Sequence, residues 1–206
     1  MTGDTSEDAA RRRVFVAGAT GVIGIRLVPL LVAAGHAVGA MTRSPGKQDA
    51  LRALGAEPFV CDVFDAAALS AAIAAFAPDT VVHQLTDLPD DLADLPGHRG
   101  ANARMRREGT RNLVEAARAA RATAFVAQSV AWPLQGEGRA AVAELERTVL
   151  KIGGVVLRYG QLYGPGTFYE DGPAPPPPRV HVDEAARRTV PALDAPPGTL
   201  VITERS

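Results

Sequence analysis

Glycines at 18, 21 and 24 follow the apolar run Val14-Phe15-Val16-Ala17 and open a helical stretch over Val22–Ala34. Glycines spaced this way between a strand and a helix form a phosphate-binding arrangement. Gly18 permits the tight turn, Gly21 lets the backbone approach a pyrophosphate, and Gly24 lets the helix lie close on the strand. The helix N-terminus adds unpaired N–H groups and a partial positive charge. Thr20, Gly21, Val22 and Ile23 are therefore the expected phosphate contacts. The spacing is GxxGxxG, with Ala19 at the second glycine of the GxGxxG form, and a purely structural turn is the competing reading.

Few other groups offer chemistry. Ser129 ends a strand at Thr123–Gln128, where open α/β sheets place their ligands; its hydroxyl either binds a substrate carbonyl or caps the strand end. His83 lies near the end of a strand at Thr80–Gln84 and Thr86 follows it, and Tyr163 lies in a Tyr-Gly-Pro-Gly-Thr turn. Tyr163 is a candidate acid, although the turn also reads as a rigid backbone element. His83 reads more simply as a packed strand-end histidine, and Asn102 as the cap of a helix that it starts. The Ala-Gln-Ser-Val-Ala context of Ser129 is not the Gly-x-Ser-x-Gly elbow of a hydrolase. The four histidines lack metal-ligand spacing. The single cysteine, Cys61, excludes an internal disulfide and suits a reducing cytoplasm.

Positioning these groups falls to an alternation of short β-branched runs and Ala-rich helical segments. Strands are expected at Arg13–Ala17, Ala37–Met41, Glu57–Cys61, Thr80–Gln84, Thr123–Gln128, Gly154–Arg158 and Thr199–Thr203. Helices are expected between them at Val22–Ala34, Lys47–Leu54, Asp65–Phe76, about Ala101–Arg121, Ala140–Lys151 and Asp183–Leu193. Pro29 predicts a kink or a shifted start in the first helix, and Asp65 is a candidate N-cap. Leu85–Gly100, Trp132–Gly138 and Gly160–Pro178 read as loops, the last with a stiff polyproline connector at Pro175–Pro178. Crossovers of this length give an α/β fold, a doubly wound Rossmann-type parallel sheet of about seven strands with a small irregular C-terminal appendage. Residues 1–11 read as a disordered tail, 12–160 as the nucleotide-binding domain, and 161–206 as a reduced substrate-lobe segment packed on it.

The 206 residues are 47% hydrophobic and 22% charged, which argues against wholesale disorder. With only 5% aromatics, the core must be built from Ala, Val, Leu and Ile. A net charge of −1 gives no electrostatic case for nucleic acid or an anionic membrane. Arg11–Arg13 before the apolar stretch Val14–Ala40 resembles an export signal, but five glycines and Arg26 interrupt that stretch, so a cytoplasmic location is expected.

Together these motifs carry a family resemblance. Gly18-Ala19-Thr20-Gly21-Val22-Ile23-Gly24, Cys61-Asp62-Val63, Val81-Val82-His83, Arg107–Leu113, Leu157–Gly160, Tyr163–Thr167 and His181–Ala186 occur in this order. The chain resembles the short-chain dehydrogenase/reductase superfamily, in its extended or atypical branch, the NAD-dependent epimerase/dehydratase group. The resemblance implies a nicotinamide cofactor, with Asp62 and Val63 at the adenine and the backbone of Gln84 and Leu85 along the ribose. It also implies a homodimer through the helices at Ala101–Arg121 and Ala140–Lys151. No metal site is implied.

Physical chemistry selects between the two cofactors. A carboxylate at the end of the second strand holds the ribose 2′-OH of NAD, yet no Asp or Glu occurs between Ile25 and Gln48. Arg43 stands there instead, followed by Lys47, and a guanidinium pairs with a 2′-phosphate. NADP(H) is therefore expected over NAD(H); a solvated loop charge is the bland alternative for Arg43.

The chain departs from the superfamily at its chemistry. A Tyr-x-x-x-Lys pair on the helix after the fifth strand sets two side chains one turn apart, and the lysine lowers the tyrosine pKa. Here all three tyrosines (Tyr159, Tyr163, Tyr169) lie beyond the sixth strand, and the only lysines are Lys47 and Lys151. Three readings follow. The first is an NADP(H)-dependent oxidoreductase or epimerase-like enzyme acting on a small carbonyl or sugar-like substrate, with Ser129 and Tyr163 as its polar contacts. The second is a catalytically degenerate NADP-binding sensor or partner protein. The third is a redox-neutral dehydration or cyclisation.

Overall fold

A computed structural model describes residues 11–89 and 91–204, so the expected tail lies outside the described residues except for Arg11. Seven strands form one parallel sheet: β1 (Arg13–Ala17), β2 (Ala37–Thr42), β3 (Glu57–Val60), β4 (Thr80–His83), β5 (Ala124–Val130), β6 (Val155–Tyr159) and β9 (Gly198–Ile202), in the order β3-β2-β1-β4-β5-β6-β9. The order reverses between β1 and β4. Their carboxyl ends therefore flank a crevice of the kind in which doubly wound sheets hold ligands.

Alternation along each strand sends side chains to two cores. Val14, Val16, Val126 and Leu157 pack under α1 (Gly24–Ala33) and α7 (Val182–Thr189). Phe15, Ala17, Phe125 and Ala127 pack under α3 (Ala66–Phe76), α5 (Thr110–Ala119) and α6 (Gly136–Lys151). With so few aromatics, the core among the described residues holds one cluster of phenylalanine rings: Phe15, Phe59 and Phe76, with centroids 5.6–6.0 Å apart. Asp65 caps α3 as expected, accepting from Ala68 N at 3.0 Å. A short α2 (Gln48–Ala53) precedes β3.

The structure corrects several sequence expectations. The first helix begins at Gly24 and runs through Pro29, so the start shifts and the proline stays inside. The long helix begins at Leu95 rather than Ala101, as α4 (Leu95–Arg104), because Pro96 suits a first turn. Asn102 is therefore not a cap: it is buried mid-helix, and its side-chain oxygen accepts from Asp87 N at 3.2 Å. A π-helical turn at Met105–Gly109 joins α4 to α5. The helix after β5 starts at Gly136 rather than Ala140.

The loop expected at Gly160–Pro178 contains β7 (Gln161–Tyr163), paired in parallel with β8 (Arg179–His181) as a separate two-stranded sheet. Gln161 N donates to Pro178 O at 2.9 Å, and Arg179 donates to Pro175 O at 3.0 Å, so the prolines are strapped to this ribbon. Three-residue strands without alternation leave no periodic signal. Pro191 ends α7 before a 3₁₀ turn at Pro191–Asp194.

Candidate nucleotide and substrate site

The glycine turn lies across the carboxyl ends of β1 and β4. Gly18 has φ +89°, and a Cβ there would lie 2.7 Å from the carbonyl carbon and oxygen of Gln84. Gly21 N donates to Gly18 O at 3.1 Å, and Ala19 N to Met41 O at 3.2 Å, closing the turn against β2. A Cβ on Gly24 would collide with Gly18 O and the Ala19 backbone, so the helix sits directly on the turn. At Gly21 an added Cβ would meet only Gly18 O, at 3.3 Å. No side chain caps the start of α1 at Ile23, and no acidic residue lies in its first turn. An uncapped helix start behind a glycine cradle suits a diphosphate.

At the end of β2, the Thr42 hydroxyl accepts from Ser44 N at 3.2 Å and lies 3.4 Å from the Thr20 hydroxyl. Arg43 projects from there half-exposed, with its guanidinium 3.9 Å from Asp87. Asp62 folds back on its own chain, accepting from Phe64 N at 2.9 Å, and the Val63 carbonyl accepts from the Asn112 side chain at 2.8 Å. Gln84 N donates to Ala17 O at 2.8 Å, and the Leu85 carbonyl accepts from the Gln128 side chain at 2.9 Å. The structure thus gathers Gly18, Thr20, Gly21, Val22, Ile23, Gln84 and Leu85 about the switch point, with Arg43 beyond β2.

Around β5 and β6 the chemistry is tied up in hydrogen bonds. Buried Ser129 donates to Glu146 of α6 at 2.6 Å, and Arg158, its register neighbour on β6, grips the same carboxylate at 2.8 and 2.6 Å. Burial opposes ionisation of Glu146, but the bonds from Arg158 and Ser129 outweigh it and hold the carboxyl below its ordinary range. The Tyr159 phenol is buried between Thr189 at 2.6 Å and the Gln84 amide at 3.1 Å, and desolvation pushes its pKa up to about 12. Tyr163, on β7, bonds to Glu204 and stacks edge-on against His181; the bond to Glu204 raises its pKa. Burial, with Arg106 adding to it, pushes His83 down to about 4; the ring contacts the Thr110 hydroxyl at 3.0 Å and accepts from Leu85 N, a packed neutral imidazole.

Sequence reasoning misses two arrangements. Arg26, which stands out in the sequence only as a charge in an apolar stretch, donates to Asp183 at 2.7 Å, to Val22 O at 2.9 Å and to Pro165 O at 2.6 Å. Glu146 and Arg158 belong to different elements, so no local spacing announces their pairing. The hint for Arg26 is an arginine on a helix otherwise without charge, which needs acceptors when packed.

Residues 18–150 match the family described as NAD(P)H-binding. A Streptomyces protein named 3-diazoavenalumate denitrifying reductase is 46% identical over 182 residues, an alignment that covers 76% of this chain and 58% of that protein. The chain therefore spans under two thirds of that relative's length. Among solved structures, the UDP-glucose 4-epimerase of Thermus thermophilus in complex with NAD has TM-score 0.78 at 21% identity, covering 94% of this chain and 78% of that one. A short-chain dehydrogenase/reductase family oxidoreductase from Burkholderia thailandensis has TM-score 0.71 at 20% identity, covering 94% and 92%. Bordetella bronchiseptica WbmH in complex with NAD+ has TM-score 0.74 at 20% identity, covering 95% and 76%. At these identities the likeness is one of fold.

Proposed function

We propose that this chain, which belongs to the NAD(P)H-binding family, is an NADP(H)-dependent reductase that works without a tyrosine proton donor. The observation that carries this reading is the pairing of an uncapped, glycine-cradled helix start with a substrate end whose hydroxyls are committed elsewhere. Gly18–Ile23 would hold the diphosphate, Asp62 and Val63 the adenine side, and the Gln84-Leu85 backbone the ribose. Arg43 would take the 2′-phosphate, since no carboxylate competes for a ribose hydroxyl at the end of β2. When bound, a reduced nicotinamide supplies a hydride, and a diazonium carbon that accepts one releases dinitrogen and leaves no oxyanion to protonate.

That chemistry suits the residues present. Ser129 gives its proton to Glu146, and the Tyr159 phenol is buried with a pKa pushed up to about 12, so neither hydroxyl is poised to protonate an alkoxide. The name of the Streptomyces relative points to the same substrate class, a diazo compound reduced with loss of nitrogen. A small carbonyl or sugar-like acceptor, by contrast, needs an acid for its alkoxide, and that role would fall to Tyr163 or to a Ser129 released from Glu146.

The two acceptors are separated by following NADPH oxidation and headspace nitrogen with an arenediazonium salt, and NADPH oxidation alone with an aldehyde panel. Protein-dependent turnover of the diazonium, unchanged in Tyr163→Phe, supports the proposal. Turnover of the aldehydes alone, lost in Tyr163→Phe or Ser129→Ala, would replace it with the carbonyl reading. No turnover of either, with NADP(H) still bound, would favour a sensor or partner protein.

We place the reductase in the cytoplasm as a homodimer paired through α4–α5 and α6. Two features support this: a lone Cys61 whose thiol burial pushes up to about 11, and the exposed apolar Leu150 on α6. Light scattering in solution tests the dimer.

A further inference from the structure

Arg106 lies in the π-helical turn between α4 and α5. Such turns interrupt helices at functional sites more often than elsewhere. Its neighbours one turn away on the same side fix the direction in which that side faces. Asn102 accepts from Asp87 N, just past β4, and Thr110 meets the ring of His83 at the end of β4. Arg106 lies between them in the chain, four residues from each and partly buried, and its charge is close enough to the His83 ring at the end of β4 to help lower that ring's pKa.

Its charge has no counter-ion among the described residues. Glu108 is engaged by Arg104, and Glu137 and Glu144 by Arg107. Burial also pulls the Arg106 pKa down, which marks a guanidinium losing water without gaining an anion. A half-buried arginine held this way is a fork waiting for a planar anion.

We propose that Arg106 is a substrate-binding residue that pairs with a carboxylate, so that the reductase acts on a small organic acid. The assignment rests on the reductase reading and narrows its substrate class. Ser129 and Tyr163 play no part in it.

The test uses binding rather than turnover, on the full chain, with cinnamate and its neutral isostere cinnamamide as probes. By calorimetry, with and without NADP, the wild-type protein should bind cinnamate about tenfold or more tightly than cinnamamide, the factor a charge-assisted pair supplies. Arg106→Gln should bring the two ligands within about twofold while binding NADPH as the wild type does; Arg106→Lys should keep part of the preference. Equal affinity of the wild type for acid and amide overturns the assignment, and so does a folded Arg106→Gln protein that still prefers the acid. Should Arg106→Gln fail to fold, the wild type and Arg106→Lys decide. A preference present in the wild type and reduced in Arg106→Lys supports the assignment; none in the wild type, or an undiminished one in Arg106→Lys, ends it. A chain that prefers the acid yet binds no NADPH would end the reductase reading and leave Arg106 only as a carboxylate-binding residue.

Discussion

The guanidinium of Arg26 meets the carboxylate of Asp183 at 2.7 Å across 157 residues of chain. With its bonds to Val22 O and Pro165 O, this side chain ties the glycine turn, the Tyr163–Thr167 turn and the first turn of α7 into one unit. The region expected to hold phosphates is thereby braced from its outer side by the C-terminal part of the chain.

Arg26→Ala should therefore cost about 1–2 kcal/mol in urea unfolding, since two carbonyls lose a charged donor while the ion pair is partly solvent-screened. It should also weaken NADPH binding several-fold. Arg52→Ala, which breaks an exposed pair with Asp49 within α2, is the control and should change stability by less than about 0.5 kcal/mol. Equal effects of the two would remove the bracing role.

Gly18→Ala should abolish tight nucleotide binding and cost about 2–4 kcal/mol, because the added methyl meets the Gln84 carbonyl and the positive φ is strained for any L side chain. Gly46→Ala, where nothing lies within 4 Å, should leave both properties within error. Thermal unfolding and a nucleotide titration of the two variants check this.

His83 gives the fold a specific response to acid. Its folded pKa, about 4, lies below the ordinary 6.5, so the unfolded chain binds the extra proton between these values. Stability from this group is complete above pH 6.5, falls as pH drops from 6.5 to 4, and is flat below. The loss over that window is on the order of 3 kcal/mol. Urea midpoints from about pH 7 down to about pH 4.5 should show this slope in the wild type and a shallower one in His83→Gln; parallel curves would contradict it.

Ser129→Ala and Tyr163→Phe should each change kcat by less than about threefold on a diazonium acceptor, because that reaction asks them for no proton. Ser129→Ala should still cost about 1–2 kcal/mol of stability, since Glu146 loses a buried donor. A loss of kcat of about a hundredfold in either would return proton transfer to that hydroxyl.

The central sheet is legible from the chain because each strand is a β-branched run followed by an Ala-rich helix, and the Asp65 cap and the Gly18 turn announce themselves by residue type. What the pattern hides is tertiary. Pro96 looks like a loop residue until it is seen at the first turn of α4, and Asn102 looks like a cap until it is buried against Asp87. The β7–β8 ribbon is too short for periodicity and is held by backbone bonds to prolines. Glu146 reads as one acidic residue among several on its helix; only the folded chain puts Ser129 and Arg158 on it.

The most direct test of the account is a calorimetric titration of the wild type and Arg43→Ala with NADPH, NADP, NADH and NAD. The wild type should bind the phosphorylated pair about tenfold or more tightly than the other two, and Arg43→Ala should lose this preference while its weak NADH binding is unchanged. Equal binding of all four by the wild type, or a preference that survives in Arg43→Ala, would contradict it.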